Sequence, residues 1–303
     1  CLEFKTKMNA IDDHIVLMME EALDKHIPGR FKGLVVGNQG KMFSAGANLV
    51  FVLNAARDKH FDVIEEGSRR LQYAVRRMTY APFPVVAAPF QMVLGGGCEV
   101  TLGCQRVVGQ AETYMGLVEV GVGVIPAGGG CLQMLLRMED ALNAKGEKGP
   151  MPKVKAAFQL IGTAHVNTSF DEAQRQGYFR RTDRRVMNSH HLLFEAKQEV
   201  LAMAKDFKPV VPRVLHLPGL GGVTALTSAV KDFQLQGLAS DHDALIMREL
   251  AHVLCGGEVS PVQEVTEERI LELERQAFAR LCSYEKTQAR MESILTKGKP
   301  LRN

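Results

Sequence analysis

The chain contains no stretch of about 18 apolar residues, so no transmembrane helix is expected. It has no charged run leading into an apolar one at its start, so no secretory signal is expected either. It has no dense block of lysine and arginine. With a net charge of only +3, bulk electrostatics give nucleic-acid binding no support. Its six cysteines (Cys1, Cys98, Cys104, Cys131, Cys255 and Cys282) form no C-x-x-C pair and no zinc-ligand spacing. Reduced thiols and a cytoplasmic location are the expectation. A dinucleotide fingerprint is also missing. Gly219-Leu220-Gly221-Gly222 has the wrong spacing, follows no convincing strand and has a proline just before it. No internal repeat or low-complexity tract occurs.

What is present is an ordinary globular mix, 46% hydrophobic and 23% charged over 303 residues. That is long enough to bury a core without disulfides. The chain starts at Cys1 and runs straight into apolar residues, which reads as a piece of something longer. Cys1–Phe4 alternates like a strand. Asp12 or Asp13 suits the cap of a helix with Ile15, Met18, Met19, Ala22 and Leu23 on one face. Gly33–Gly37 and Val85–Ala88 read as buried strands, and 61–80 as an amphipathic helix stopped by Pro82 and Pro84. A helix is expected from about Gly97, with strands at Arg106–Gly109 and Tyr114–Met115. Such alternation predicts an α/β fold with crossover pairing. Residues 140–154 read as an exposed excursion and 209–222 as a loop. The remainder reads as helical, including one long segment at 263–297.

Three segments stand out. Phe43-Ser44-Ala45-Gly46-Ala47-Asn48-Leu49 follows a strand. Leu94-Gly95-Gly96-Gly97-Cys98-Glu99 opens a helix. Met115–Gly121 contains Glu119 and precedes Ile125-Pro126-Ala127-Gly128-Gly129-Gly130. Glycines at a strand-to-helix junction allow close backbone approach. Amides at a helix start lack intrahelical partners and favour negative charge, so they can stabilise an oxyanion. The small residues of the first loop can bring a second amide to the same place. Taken singly, each feature has a plainer explanation. The glycines suit a tight turn, Glu99 suits a helix dipole, and Glu119 suits an ion pair. His14, His26, His190 and His191 read as surface or capping residues, and the methionines as core filling.

Together and in this order, with Met8-Asn9-Ala10 near the start, these segments resemble the crotonase superfamily of enoyl-CoA hydratases and isomerases over roughly residues 1–135. The resemblance implies a spiral of ββα units with a helical C-terminal region. It assigns the two oxyanion-hole amides to Ala47 and Gly96 and the catalytic carboxylates to Glu99 and Glu119, 20 residues apart. It implies substrate contacts from Ala45, Gly46, Asn48, Leu49, Gly95 and Gly97. In hydratases of this kind both carboxylates hold one water, the first acting as base and the second as acid toward Cα. Asn48 departs from the aspartate usual at that position.

The tail, Thr287-Gln288-Ala289-Arg290-Met291 through Asn303, is similar to that of fused bacterial 3-hydroxyacyl-CoA dehydrogenases. There an NAD-binding part precedes a crotonase-like one. The implied division is a catalytic core, 1–205, and a helical region, 206–303, for packing or oligomerisation. The implied activity is 2-enoyl-CoA hydration in fatty-acid β-oxidation. Δ3-Δ2-enoyl-CoA isomerisation and a non-catalytic acyl-CoA holding module stand as alternatives. The expected ligand is an acyl-CoA thioester, with no cofactor held by this chain. NAD enters only with a preceding dehydrogenase part, and a homo-oligomer is possible.

Overall fold

The computed structural model of the chain describes residues 1–303. The first helix, α1 (Asp13–Glu21), is capped by Asp12. Its carboxylate accepts the Ile15 N–H at 3.0 Å, satisfying a donor that the first helical turn leaves without a partner. β1 (Leu34–Val36), α2 (Leu49–Arg57) and α3 (Phe61–Thr79) follow. Next come β2 (Val85–Ala87), β3 (Gln91–Leu94), α4 (Gly96–Gly103), β4 (Arg106–Gln110) and β5 (Thr113–Gly116). A 3-10 turn, Glu119–Val122, leads to α5 (Gly130–Asn143) and α6 (Pro150–Gly162). Beyond these lie α7 (Phe170–Arg175), β6 (Arg184–Val186) and α8 (Leu192–Met203). The chain ends with β7 (Val214–His216), α9 (Gly219–Leu235), α10 (Asp241–Leu254), β8 (Glu264–Thr266), α11 (Glu267–Cys282) and α12 (Glu285–Lys297).

These elements form two compact units, each built from three stretches of chain. The first is Cys1–Asn48, Arg70–Gly116 and Val166–Pro212; the second is Leu49–Arg69, Leu117–His165 and Arg213–Asn303. The units interleave along the sequence.

The first unit holds a four-stranded parallel sheet in the order β1-β2-β4-β6 and a two-stranded parallel sheet, β3-β5. Successive strands alternate between them. β2 and β4 lie in one sheet, β3 and β5 in the other, so each turn of chain lays one strand in each. α4 after β2 and β3 completes a ββα unit. The core under the larger sheet joins Val35, Val86, Ala88 and Val108 to Leu192, Ala196 and Val200. The last three are spaced four apart and so share one face of α8. Each buried valine or leucine side chain among them is worth about 1.5–3 kcal/mol.

The second unit is mostly helical, with one antiparallel strand pair, β7-β8. Several sequence expectations are corrected here. The excursion expected at 140–154 shrinks to the exposed loop 144–149, because α5 runs to Asn143 and α6 starts at Pro150. Its charges are partly paired: Lys153 is buried and bonded to Glu139. The loop expected at 209–222 contains β7 and the start of α9. Pro218 lies at the helix start, where a missing N–H costs nothing, instead of breaking an element. The segment 263–297 is a short strand and two helices, separated at Ser283–Tyr284. In the first unit, the strand expected at Cys1–Phe4 reduces to a bridge from Leu2 to Val36.

Candidate active site

The glycine run and the Ser44 loop meet within the first unit. Main-chain bonds hold the loop on both sides. Ser44 N–H donates to Met92 O, and Leu94 N–H donates to Ser44 O, each at 3.1 Å. On the other side, Ala45 N–H reaches Met8 O at 3.2 Å. Ile11 N–H donates to Gly46 O at 2.8 Å, and Asn48 N–H to Ile11 O at 2.9 Å. These last two bonds straddle Ala47. In a parallel bridge of this kind the middle residue's own N–H points the opposite way, and it does so toward Gly96. A Cβ built on Gly96 would lie 3.3 Å from the Ala47 nitrogen. Gly96 is the first residue of α4, so its amide is one that a helix cannot use internally. Neither the Ala47 nor the Gly96 amide donates within the protein. The two expected oxyanion donors are therefore side by side at a helix N-terminus.

Close approach makes this possible. A Cβ on Gly97 would stand 2.5 Å from Ser44 Cβ and 2.7 Å from its Oγ, so only glycine admits the loop. Glu99 lies one turn into α4 and is 3% exposed; its N–H bonds Gly95 O at 3.0 Å. Of the residues picked out from the sequence, Ala45, Gly46, Ala47, Asn48, Gly95, Gly96, Gly97 and Glu99 are all in this unit.

Glu119 and Leu49 belong to the second unit. Leu49 starts α2. Glu119 is half-buried and starts the 3-10 turn. The segment after it is pinned by α11: the carboxylate of Glu274, fully buried, accepts the N–H groups of Gly129 at 2.9 Å and Leu132 at 2.8 Å. A carboxylate on the orphan amides of α5 is favoured by charge and by the helix dipole. Ser68 Oγ also donates to Ala127 O at 2.5 Å.

The sequence named Ser44 and Asn9 only as parts of motifs, and it did not single out Asn38; the structure shows how all three hold the first loop. Ser44 Oγ donates to Asn9 O at 2.8 Å and accepts from Gly46 N–H. Asn9 Nδ2 donates to the carbonyls of Gln39 and Met42, and Asn38 Nδ2 to that of Phe43. This gives Met8-Asn9-Ala10 a physical role as a floor for the loop. Elsewhere in the unit, a cavity of about 520 Å³ lies before β2, lined by residues such as Tyr73, Arg76, Arg77 and Tyr80. Its Arg77 is paired with Asp24, and it contains none of the residues just described. No group of three His, Cys, Asp or Glu side chains is placed to hold a metal ion. No helix is long and apolar enough to cross a membrane.

A family model described as Enoyl-CoA hydratase/isomerase matches residues 2–140. Over all 303 residues the chain is 40% identical to a "Probable 3-hydroxyacyl-CoA dehydrogenase" of Bacillus subtilis (strain 168), covering 38% of that protein. It is 28% identical, over 96% of its length, to a "Putative fatty acid oxidation complex trifunctional enzyme" of Rickettsia felis, covering 36% of it. The chain thus spans little more than a third of these relatives. Among solved structures, an enoyl-CoA hydratase from Bacillus halodurans matches with a TM-score of 0.62 at 18% identity, over 95% of this chain and 92% of that one. At that identity the likeness is one of fold. By these matches residues 2–140 are similar to the enoyl-CoA hydratase/isomerase family, and the chain as a whole carries the crotonase fold.

Proposed function

We propose that the chain adds water across the double bond of a 2-enoyl-CoA thioester, as one part of a longer 3-hydroxyacyl-CoA dehydrogenase of fatty-acid oxidation. The observation that carries this reading is the pair of amides at Ala47 and Gly96, side by side at the start of the helix that bears buried Glu99. The thioester oxygen accepts from both amides, which stabilise the enolate-like charge that develops as Cβ is attacked. Removing one such donor from an oxyanion hole costs about 2.7–4 kcal/mol. Water oxygen bonds Cβ and a proton reaches Cα. Glu99 acts as base toward the water, and Glu119 delivers the proton. NAD plays no part in this step; it would enter only with a dehydrogenase part such as the name of the Bacillus subtilis relative indicates.

Hydration needs two proton-handling groups, whereas isomerisation of a 3-enoyl-CoA needs one. A glutamate at both family positions favours hydration. The test is loss of the conjugated thioester absorbance of crotonyl-CoA. Expected is turnover by the wild-type chain and a fall of about 10²–10⁴-fold in both Glu99→Gln and Glu119→Gln. Silence with crotonyl-CoA beside turnover of a 3-enoyl-CoA would replace hydratase by isomerase. Binding without turnover of either would leave a holding module.

A further inference from the structure

The tail from Thr287 to Asn303 lies in the second unit with Glu119, and α12 is pressed against the turn that follows that glutamate. Gly123 closes the turn in the left-handed region, at φ +94°. Its N–H bonds Val120 O, and the next N–H, of Val124, bonds Glu119 O, both at 3.1 Å. A Cβ on Gly123 would stand 2.9 Å from Thr287 Cα, so glycine is what lets the helix come this near. Thr287 is fully buried. Its Oγ1 lies 2.9 Å from Gly123 O and 2.9 Å from His242 Nε2 of α10.

Gly123 O can only accept, and a hydroxyl has one proton to give. Both contacts are therefore made only if Thr287 donates to Gly123 and His242 donates from Nε2 to Thr287. His242 is 3% exposed. Burial, with the nearby charges of Arg290 and Lys286, pushes its pKa down to about 4, so it is neutral at neutral pH and carries one ring proton. α12 is tied to α10 again by Arg290, 2% exposed, which pairs with Asp243 at 2.7 Å. Arg290 also donates to Asn303 Oδ1 at 2.8 Å. The chain of bonds runs from His242 through Thr287 and Gly123 to the turn on which Glu119 stands.

We infer that Thr287, oriented by His242, is a positioning residue for Glu119: it fixes the turn beneath that carboxylate and does not touch substrate. This rests on the proton-handling role proposed for Glu119. The test uses the full 303-residue chain, with wild type, Glu119→Gln, Thr287→Val and Thr287→Ser assayed side by side on crotonyl-CoA and a 3-enoyl-CoA. Thermal melts run in parallel. Valine keeps the volume and loses the donor; serine keeps the donor. Expected is a fall in kcat of about tenfold or more for Thr287→Val, since small misplacements near the chemistry have effects up to about 10²-fold. KM stays within about twofold, and Thr287→Ser regains most of the rate, the pattern of a lost transition-state interaction.

Wild-type kcat in Thr287→Val, beside a collapsed Glu119→Gln, overturns the positioning role and leaves the hydratase reading standing. Raised KM at unchanged kcat assigns Thr287 to substrate binding and likewise overturns it. Glu119→Gln as active as wild type on both substrates sinks the functional reading, and this inference with it. If Thr287→Val does not fold, His242→Gln, which keeps a donor, and His242→Phe, which does not, make the same comparison. A high kcat in the first and a low one in the second supports the role, and equal values overturn it.

Discussion

In the first unit, the surroundings of Glu99 are held by the main chain. Strand-like bonds from Met92 and Leu94 on one side, and Met8 and Ile11 on the other, fix the Ser44 loop, and the side chains that help are short. In the second unit, the segment containing Glu119 is held by side chains from helices far along the sequence. Glu274 lies 145 and 142 residues from the amides it accepts, and Thr287 lies 164 from the carbonyl it meets. Two glutamates with related expected tasks are thus supported in opposite ways. Main-chain support depends on small residues packed at close range. Side-chain support depends on single buried polar groups, each of which one substitution can remove.

That contrast breaks most sharply at Glu274. Glu274→Ala removes the acceptor of two buried N–H groups, each such charge-assisted bond being worth about 1.5–3 kcal/mol. A loss of about 3–6 kcal/mol is expected, read as a lower urea midpoint at unchanged slope; a loss below about 1 kcal/mol would show that side chains do not hold this segment. Next is the response of His242 to acid. Its folded pKa of about 4 lies below its ordinary value of 6.5, so the unfolded chain takes up the proton first. The stability it contributes is complete above pH 6.5 and is lost as pH falls through about 4, about 3 kcal/mol in all. Arg290 and Lys286 act with burial, and Asp243 opposes them. His242→Gln should flatten the melting temperature between those pH values relative to wild type. The smallest effect tests the main-chain half: Gly97→Ala should destabilise by about 1–3 kcal/mol through overpacking against Ser44. A neutral result there would mean the loop gives way easily.

The same difference sets what the sequence reveals. Asp12 as a cap, the long amphipathic α3, the valines of β2 and the glycine-led start of α4 are local patterns, and the structure has all of them. The roles expected of the Ala47 and Gly96 amides and of Glu99 rest instead on the family resemblance, which joins segments that no local pattern connects. Glu274 sits two residues from Glu272, and the helical period separates them: Ile270, Leu271, Ala277 and Phe278 flank Glu274 on one face, while Glu268, Arg269, Arg275 and Gln276 flank Glu272. Glu272 pairs on the surface with Arg269, while Glu274 has no exposed area. The pattern places Glu274 on the buried face, but it does not show which amides the carboxylate meets, because those belong to the start of α5. Thr287 stands among charged residues, and the Gly123 it meets is likewise far along the chain. The end of α5, the start of α6, β7 and the start of α9 read as loop in the sequence because paired charges and helix-starting prolines resemble loop signals when their partners are out of view.

The bonds that straddle Ala47 have a consequence for genetics. Its methyl group faces solvent while its amide is the proposed oxyanion donor, so a saturation scan of this codon should tolerate many side chains and single out proline, which alone deletes the donor. Scored by tolerance, the position would rank as dispensable. Replacing the amide by an ester, one atom exchanged in the backbone, would show that it is not.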